Sequence, residues 1–337
     1  MRILSLAWEC PQGFGGLSTF VRMLLPEMAR RHDVTHVCLY GGEGATGARV
    51  VKLSCCAFDE EGGALVVKAR ALLSLSCAVL GFLGSVDAVL GHDFHAAVAA
   101  AAAASLGKRA ALYIHAPSFT PFEVLAAVAS IPTATNSRLS QALLRQEGIE
   151  ARVVYPAPPL RPVDSYPGKP AREEPLVVIP SRYQGNKHPK HILPALEGLR
   201  ARGYRFRVVV VGRGADLYRR ELPDWVEVVP NATDAARDEL YRSADIAIQV
   251  GFPEPFGLVA LEAIAMGAPT LVSSQSGAAE VLPREAVYTK EDLAEKLEQL
   301  LADPRAREDL WWKERRAWIM TRTWADTWRE LEELLQL

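Results

Sequence analysis

The chain has 337 residues, of which 49% are apolar and 23% charged. That is the composition of an ordinary globular protein, long enough to build two domains with separate cores. A formal net charge of −2 excludes a global electrostatic pull toward nucleic acid or an acidic membrane, so any basic site must be local.

The N-terminal apolar run ends at Glu9, too short for the hydrophobic region of a signal peptide, and reads as a first strand. The five cysteines (10, 38, 55, 56 and 77) lack metal-type spacing. An odd, scattered set argues against a disulfide framework and for a cytosolic compartment, with Cys55 and Cys56 a buried pair in a strand.

Short β-branched runs then alternate with helical patterns. "RILSLAW" is a strand, and "STFVRMLLPEMARR" a helix with Ser18 or Thr19 placed to cap it. "DVTHVCLYG" is a second strand. In "ALVVKARALLSLSCAVLGFLGSVDAVLG", Lys68 and Arg70 leave an uncharged run too short to span a bilayer. A buried helix and a strand are expected there, with attachment to a membrane surface left open. "AVLGH", the Ala-rich helix "AAVAAAAAASLG" and the strands "RAALYIHA", "TATNS" and "ARVVYPA" complete the first series. The Pro-rich run at residues 156 to 175 reads as an interdomain linker. The alternation restarts with "LVVIPS" and continues through "RFRVVVVG", "WVEVV", "DIAIQV", the helix "EPFGLVALEAIAMG" and the strand "APTLVSS", before a helical C-terminal stretch. Strands alternating with helices predict parallel sheets covered on both faces, with ligands beyond the carboxyl ends of the strands.

Several groups there carry chemistry. In "CPQGFGGLSTFV", Gly13, Gly15 and Gly16 permit close backbone approach to a ligand at a helix N-terminus, or simply make a tight turn. The spacing is not the dinucleotide fingerprint, which disfavours a nicotinamide cofactor. Arg182 and Lys187, in "PSRYQGNKHPKHIL", either clamp a diphosphate or remain solvated loop charges. In "GFPEPFGLVALE", the amides of Phe256, Gly257 and Leu258 at a helix start offer a phosphate site. Glu262, about one turn further on, points back toward it, as helical side chains do. Glu254 and Glu262 then suit sugar hydroxyls. They also fit a simple response to the helix dipole, or a hydrolytic carboxylate pair.

At this point "EPFGLVALEAIAMGAPTLVSSQSGAAEVL" resembles the signature of retaining glycosyltransferases of family 4, which have the GT-B fold. That signature is two glutamates with seven residues between them, a Gly-x-Pro strand and a Gly-x-x-Glu turn. Here they are Glu254, Glu262, Gly267, Pro269, Gly277 and Glu280. "GFGGLSTFVRMLLPEMARR" is similar to the family's N-terminal glycine loop and helix. "PSRYQGNKHPKHILPAL" resembles its phosphate motif, with His188 where glycine is usual. "TWADTWRELEELL" resembles its closing helix.

The resemblance implies two doubly wound Rossmann-like α/β domains facing a central cleft. The acceptor-side domain would be residues 1–160, the linker 161–175 and the donor-binding domain 176–317, with a helix in 318–337 returning to the first domain. It implies sugar transfer from a UDP-, GDP- or ADP-linked donor to a sugar, lipid or small-molecule acceptor, with no cofactor and no metal. Glu262 would hold the ribose and Glu254 the donor sugar. Arg182 and Lys187 would neutralise the diphosphate, helped by the amides of Phe256 to Leu258. Gly15 and Gly16 would approach the donor, and Gly212 in "VVVVGRG" and Asn231 in "VVPNATDAARDELY" would flank it. His115, at the end of "YIHAP", would lie near the transferred sugar or stand as an ordinary loop histidine. His92, Asp93 and His95 lack a completed metal ligand set, and Asp93 is a candidate cap for the Ala-rich helix. Asn136 and Ser137 look like a polar loop facing the cleft. The alternatives are a non-catalytic nucleotide-sugar-binding subunit or a sugar-nucleotide epimerase.

Overall fold

A computed structural model describes residues 1–13, 15–53, 73–75, 77, 80–82, 84–93, 96–116, 131–169 and 172–337. The expectations for Cys55, Cys56, His95 and most of the apolar segment after residue 63 lie outside the described residues. The chain divides into two compact units, Met1–Ala157 with Thr323–Leu337, and Pro158–Arg322.

The first unit contains β1 (Arg2–Leu6), α1 (Gly16–Ala29), β2 (Asp33–Cys38), β3 (Arg49–Lys52), β4 (Ala88–His92), α2 (Ala97–Ser105), β5 (Arg109–Ile114), β6 (Thr133–Thr135), α3 (Arg138–Gln146) and β7 (Arg152–Val153). Its strands are parallel in the order β3-β2-β1-β4-β5-β6-β7. The order reverses at β1, so the crevice expected for a ligand lies beyond the ends of β1 and β4. Each central strand is buried, because crossover helices cover both faces. The alanines of α2 let it lie close, since a Cβ on Gly91 would come 3.0 Å from the Ala96 methyl.

Three local expectations change here. Gly15, not Ser18 or Thr19, precedes the first turn of α1, and no side chain caps it. Ser18 instead gives its hydroxyl and amide to the carboxylate of Glu9. Cys10 and Cys38 form a disulfide, their Cα atoms 5.1 Å apart. Parallel pairing of Leu6 with Val37 carries the continuation of β1 alongside β2, a neighbour relation that cysteine spacing alone does not reveal. Asp93 does not cap α2, whose N-cap is Ala96. Its carboxylate takes the amides of His115 and Ala116 instead, at 2.7 and 3.4 Å.

The second unit contains β8 (Leu176–Pro180), α4 (Leu193–Ala201), β9 (Arg207–Gly212), β10 (Val226–Pro230), α5 (Asp234–Ser243), β11 (Ile246–Gln249), α6 (Leu258–Ala265), β12 (Thr270–Ser273), β13 (Val287–Tyr288), α7 (Leu293–Ala302) and α8 (Pro304–Arg315). Its parallel order is β10-β9-β8-β11-β12-β13, reversing between β8 and β11. The Pro-rich segment is bound along this unit. Val163 donates to the Ala265 carbonyl, Lys169 to those of Gly267 and Arg242, and Arg172 to that of Ser243. The C-terminal α9 (Trp324–Leu334) packs on α1, burying Trp324, Trp328 and Leu331 against Phe20, Leu24 and Met28. Its N-terminus carries a capping box between Thr323 and Asp326. Among the described residues no helix is long and apolar enough to cross a membrane.

Candidate active site

In the second unit the predicted residues converge on the point where the strand order reverses. The loop after β8 carries Arg182 and Lys187, and the loop after β11 carries Glu254. Lys187 Nζ lies 2.6 Å from Glu254 Oε2. The carboxylate is only 7% exposed, and a buried carboxylate needs such a partner.

Each loop is held in place by its neighbours. The Tyr218 hydroxyl donates toward the Arg182 carbonyl at 2.7 Å and accepts from the Gln184 amide at 2.8 Å. The Ser181 hydroxyl donates to the Lys187 carbonyl. His188, the departure from glycine, is buried against the Tyr218 ring at 4.3 Å, and its Nδ1 accepts from the Lys190 amide. Burial holds the His188 pKa below its ordinary value. Arg182 is exposed and donates from Nε to the Gln184 side chain.

The segment from Glu254, expected as the start of a helix, is irregular up to Gly257, and α6 begins only at Leu258. Glu254 and Phe256 pair with the turn after β12. The Glu254 amide donates to Gln275, and the amides of Gly277 and Ala278 donate to the carbonyls of Glu254 and Phe256. The Ser276 hydroxyl donates to the Phe256 carbonyl at 2.8 Å. Thus the Gly277 motif does not act at a distance; it fixes the backbone of Glu254. Gly257 sits at φ +95, a left-handed conformation that favours glycine. It begins α6 with no side-chain cap, so the first-turn amides have no partner within the helix.

Glu262, 5% exposed, lies one turn in. Its Oε2 is 3.8 Å from Nε of Arg237 on α5, a residue the sequence did not single out. Arg237 also pairs with Asp234 and Asp238. The Tyr241 phenol is buried beside them, and burial, with the Glu262 charge, holds its pKa well above the ordinary value. Gly212 has a packing reason: a Cβ there would come 2.3 Å from the Ser181 carbonyl oxygen. Asn231 adopts φ 52 and accepts the Gly214 amide on Oδ1 at 3.2 Å.

The first unit holds the other predicted residues. Gly15 is extended. A Cβ on Gly16 would meet nothing, whereas one on Gly13 would strike the Ser18 hydroxyl. The Glu9 carboxylate occupies part of the amide-lined start of α1, where an anion was expected. His115 follows β5, with its ring 4.6 Å from those of Phe20 and Tyr113. Asn136 and Ser137 are buried and structurally engaged. Asn136 donates to the His115 carbonyl and accepts the Ser140 hydroxyl, while Ser137 caps α3. Burial depresses His36 to about 4 and His115 to about 3, and holds His92 well below its ordinary value. Among the described residues no group of three or more His, Cys, Asp or Glu side chains is placed to hold a metal ion.

Residues 164–317 match the family model for glycosyl transferases group 1. An uncharacterized glycosyltransferase of Methanocaldococcus jannaschii is 41% identical over 76 residues, 21% of this chain and 20% of that protein. A GDP-mannose-dependent alpha-(1-6)-phosphatidylinositol dimannoside mannosyltransferase of Mycobacterium tuberculosis is 34% identical over 111 residues, 32% of this chain and 29% of that protein. The matched stretches therefore span less than a third of either relative. The sucrose-phosphate synthase of Thermosynechococcus elongatus has a TM-score of 0.78 at 18% identity, covering 99% of this chain and 98% of that one. The chain has the GT-B fold, and residues 164–317 of its second unit are similar to group 1 glycosyl transferases.

Proposed function

We propose that the protein transfers a sugar from a nucleotide-diphosphate sugar to an acceptor hydroxyl, with retention at the anomeric carbon and without a metal. The carrying observation is the Lys187–Glu254 pair at the two strand ends flanking the reversal of strand order, beside the uncapped start of α6. Fixed positive charge and first-turn amides suit a departing diphosphate, because preorganised charge in a shielded site stabilises what develops in the transition state.

In this reading Lys187 and Arg182 neutralise the diphosphate together with the amides of Phe256 to Leu258. Glu262 accepts the ribose hydroxyls and Glu254 those of the donor sugar. Gly15 and Gly16 admit the donor phosphates, and His115 serves the transferred sugar. Gly212 and Asn231 shape the turns around the base. The acceptor is a sugar, lipid or small molecule. The mycobacterial relative makes GDP-mannose the first donor to try.

The test is a thermal-shift screen of UDP, GDP, ADP and their sugar conjugates with chelator present, followed by donor turnover. Ligand that binds the folded state raises the melting temperature according to its affinity and concentration. A shift with one nucleotide family and turnover of its conjugate supports the reading. Binding without turnover would identify a non-catalytic nucleotide-sugar subunit, and turnover that chelator abolishes and metal restores would refute the fixed-charge account.

A further inference from the structure

Lys187 and Glu254 stand on two different loops, so their contact requires that the loops themselves be held together. Asn186 ties them. It precedes Lys187 in a short helical turn, Gly185–Lys187. Its carbonyl accepts from the Phe252 amide at 2.9 Å, and its side-chain Nδ2 donates to the Pro253 carbonyl at 2.7 Å. Phe252 and Pro253 are the two residues that lead into Glu254. On the far side, the Glu254 amide donates to the Gln275 carbonyl and its carbonyl accepts from Gly277. The segment carrying Glu254 is therefore clasped between Asn186 and the turn after β12. Lys187 is anchored in the same way, its amide donating to the Gln184 carbonyl and its carbonyl accepting from the Ser181 hydroxyl.

The orientation of the Asn186 amide follows from its partner. A carbonyl oxygen only accepts, so the atom that faces Pro253 is the nitrogen. The other atom, Oδ1, is buried with no hydrogen-bond partner among the described residues. A buried acceptor without a donor costs free energy, so the side chain is poorly explained by stability alone. Its bond to Pro253 gives it another use. Lysine carries its charge on a flexible four-carbon stem, and holding two long side chains in one geometry costs entropy. A contact as short as 2.6 Å between Lys187 and Glu254 thus depends on the spacing of the backbones that bear them.

We infer that Asn186 is a positioning residue: by binding Phe252 and Pro253 it holds the loop that carries Glu254 within reach of Lys187. This deepens the proposed glycosyl transfer and rests on it for the effect on rate, whereas the pairing of Lys187 with Glu254 is measurable without that reading.

The experiment is a proton–nitrogen spectrum of the lysine ammonium groups of labelled full-length protein, in slightly acidic buffer where ammonium protons exchange slowly. Lys187 is assigned by Lys187→Arg, and its signal is expected to be protected from exchange and to disappear in Glu254→Gln. Asn186→Ala removes the side-chain bond and leaves the main-chain bond from Phe252. The His191 ring, 5.1 Å from that of Phe252, still packs on the loop, so the variant should melt close to the parent protein. Its Lys187 signal is expected to lose protection. Its kcat for GDP-mannose, or for whichever donor is turned over, should fall by roughly tenfold to a hundredfold with KM little changed, the scale for a misplaced catalytic group. Asn186→Asp keeps the shape but sets an oxygen against the Pro253 carbonyl, and should behave as Asn186→Ala does. A Lys187 signal as protected in both variants as in the parent, or absent from the parent, would overturn the inference. Loss of protection with an unaltered kcat would remove the positioning role. A parent protein that turns over no donor refutes the proposed function, while the Lys187 signal still decides whether Asn186 holds the pair.

Discussion

Lys187 Nζ and Glu254 Oε2, 2.6 Å apart, connect the loops that leave two adjacent strands on either side of the reversal in strand order. Without ligand, each neutralises the other. A diphosphate arriving at Lys187 therefore exchanges one anion for another, and Glu254 is released to accept hydroxyl hydrogen bonds. Lys187→Ala is expected to lower turnover by roughly a hundredfold, the scale for removing one preorganised donor. It should also cost about 2 kcal/mol of stability, because Glu254 is left buried without its partner. Glu254→Gln should spare binding of free nucleotide and weaken the intact donor. Calorimetric titration with nucleotide and with donor, on both variants, checks the division of labour; equal losses for both ligands would refute it.

Glu262 tests the opposite end of the donor. Removal of its carboxylate is expected to weaken free nucleotide and donor alike, by about tenfold to a hundredfold, the range for a hydrogen bond to a charged group. Arg237 lies 3.8 Å from that carboxylate and would lose a neighbour, so Glu262→Gln is the better variant. It keeps the shape and two hydrogen-bonding groups. Normal affinity for nucleotide in Glu262→Gln would mean that Glu262 serves α5 packing through Arg237 and not the ligand.

The strand alternation, the two-unit organisation of sheets and the Glu254 motif were legible because each is local. "AVLGH" coincides with β4, and the Gly257 turn is announced by its own residues. Relations set by strand order were not legible. Cys10 and Cys38 pair because β1 and β2 are neighbours, and Ser5 meets His36 because of register. Nothing in cysteine count or histidine spacing encodes either fact. Arg237 was missed for the same reason: it lies on a different helix and meets Glu262 only when α5 and α6 pack. The helix expected from Glu254 begins only at Leu258, because Glu254 and Phe256 pair with Gln275 to Ala278 instead.

The buried histidines make a prediction about acid stability. Burial lowers His36 to about 4 and His115 to about 3, and depresses His92 in the same direction. The folded state thus binds fewer protons than the unfolded chain between pH 6.5 and these values. Their contribution is fully present above pH 6.5 and is lost as pH falls through that window. At pH 5.5 the three rings together should cost about 4 kcal/mol relative to pH 7.5, by the scale of 1.36 kcal/mol per pKa unit. Urea unfolding of the first unit, followed at both pH values, measures the difference. His36→Asn should reduce the pH dependence by about a third; an unchanged dependence would mean that these rings are protonated in the folded protein.

Glycine substitutions separate packing from ligand approach. Gly267 has φ +92, and a Cβ there would lie 2.3 Å from the Pro167 ring. Gly267→Ala is therefore expected to destabilise the second unit by about 2 kcal/mol or more, through backbone strain and through displacement of the segment bound along it. Gly16 is the contrasting case. It is the first residue of α1, and an added Cβ would meet nothing within 4 Å. Alanine there should leave stability unchanged or raise it by about 0.5 kcal/mol, because alanine favours the helix and loses less entropy on folding. If Gly16 is present so that a donor phosphate can approach the backbone, Gly16→Ala should still lower donor turnover by tenfold or more. Melting temperature and kcat/KM, measured on the same preparation, decide the matter. A stable variant with normal turnover would show that the glycine loop is a turn and nothing more.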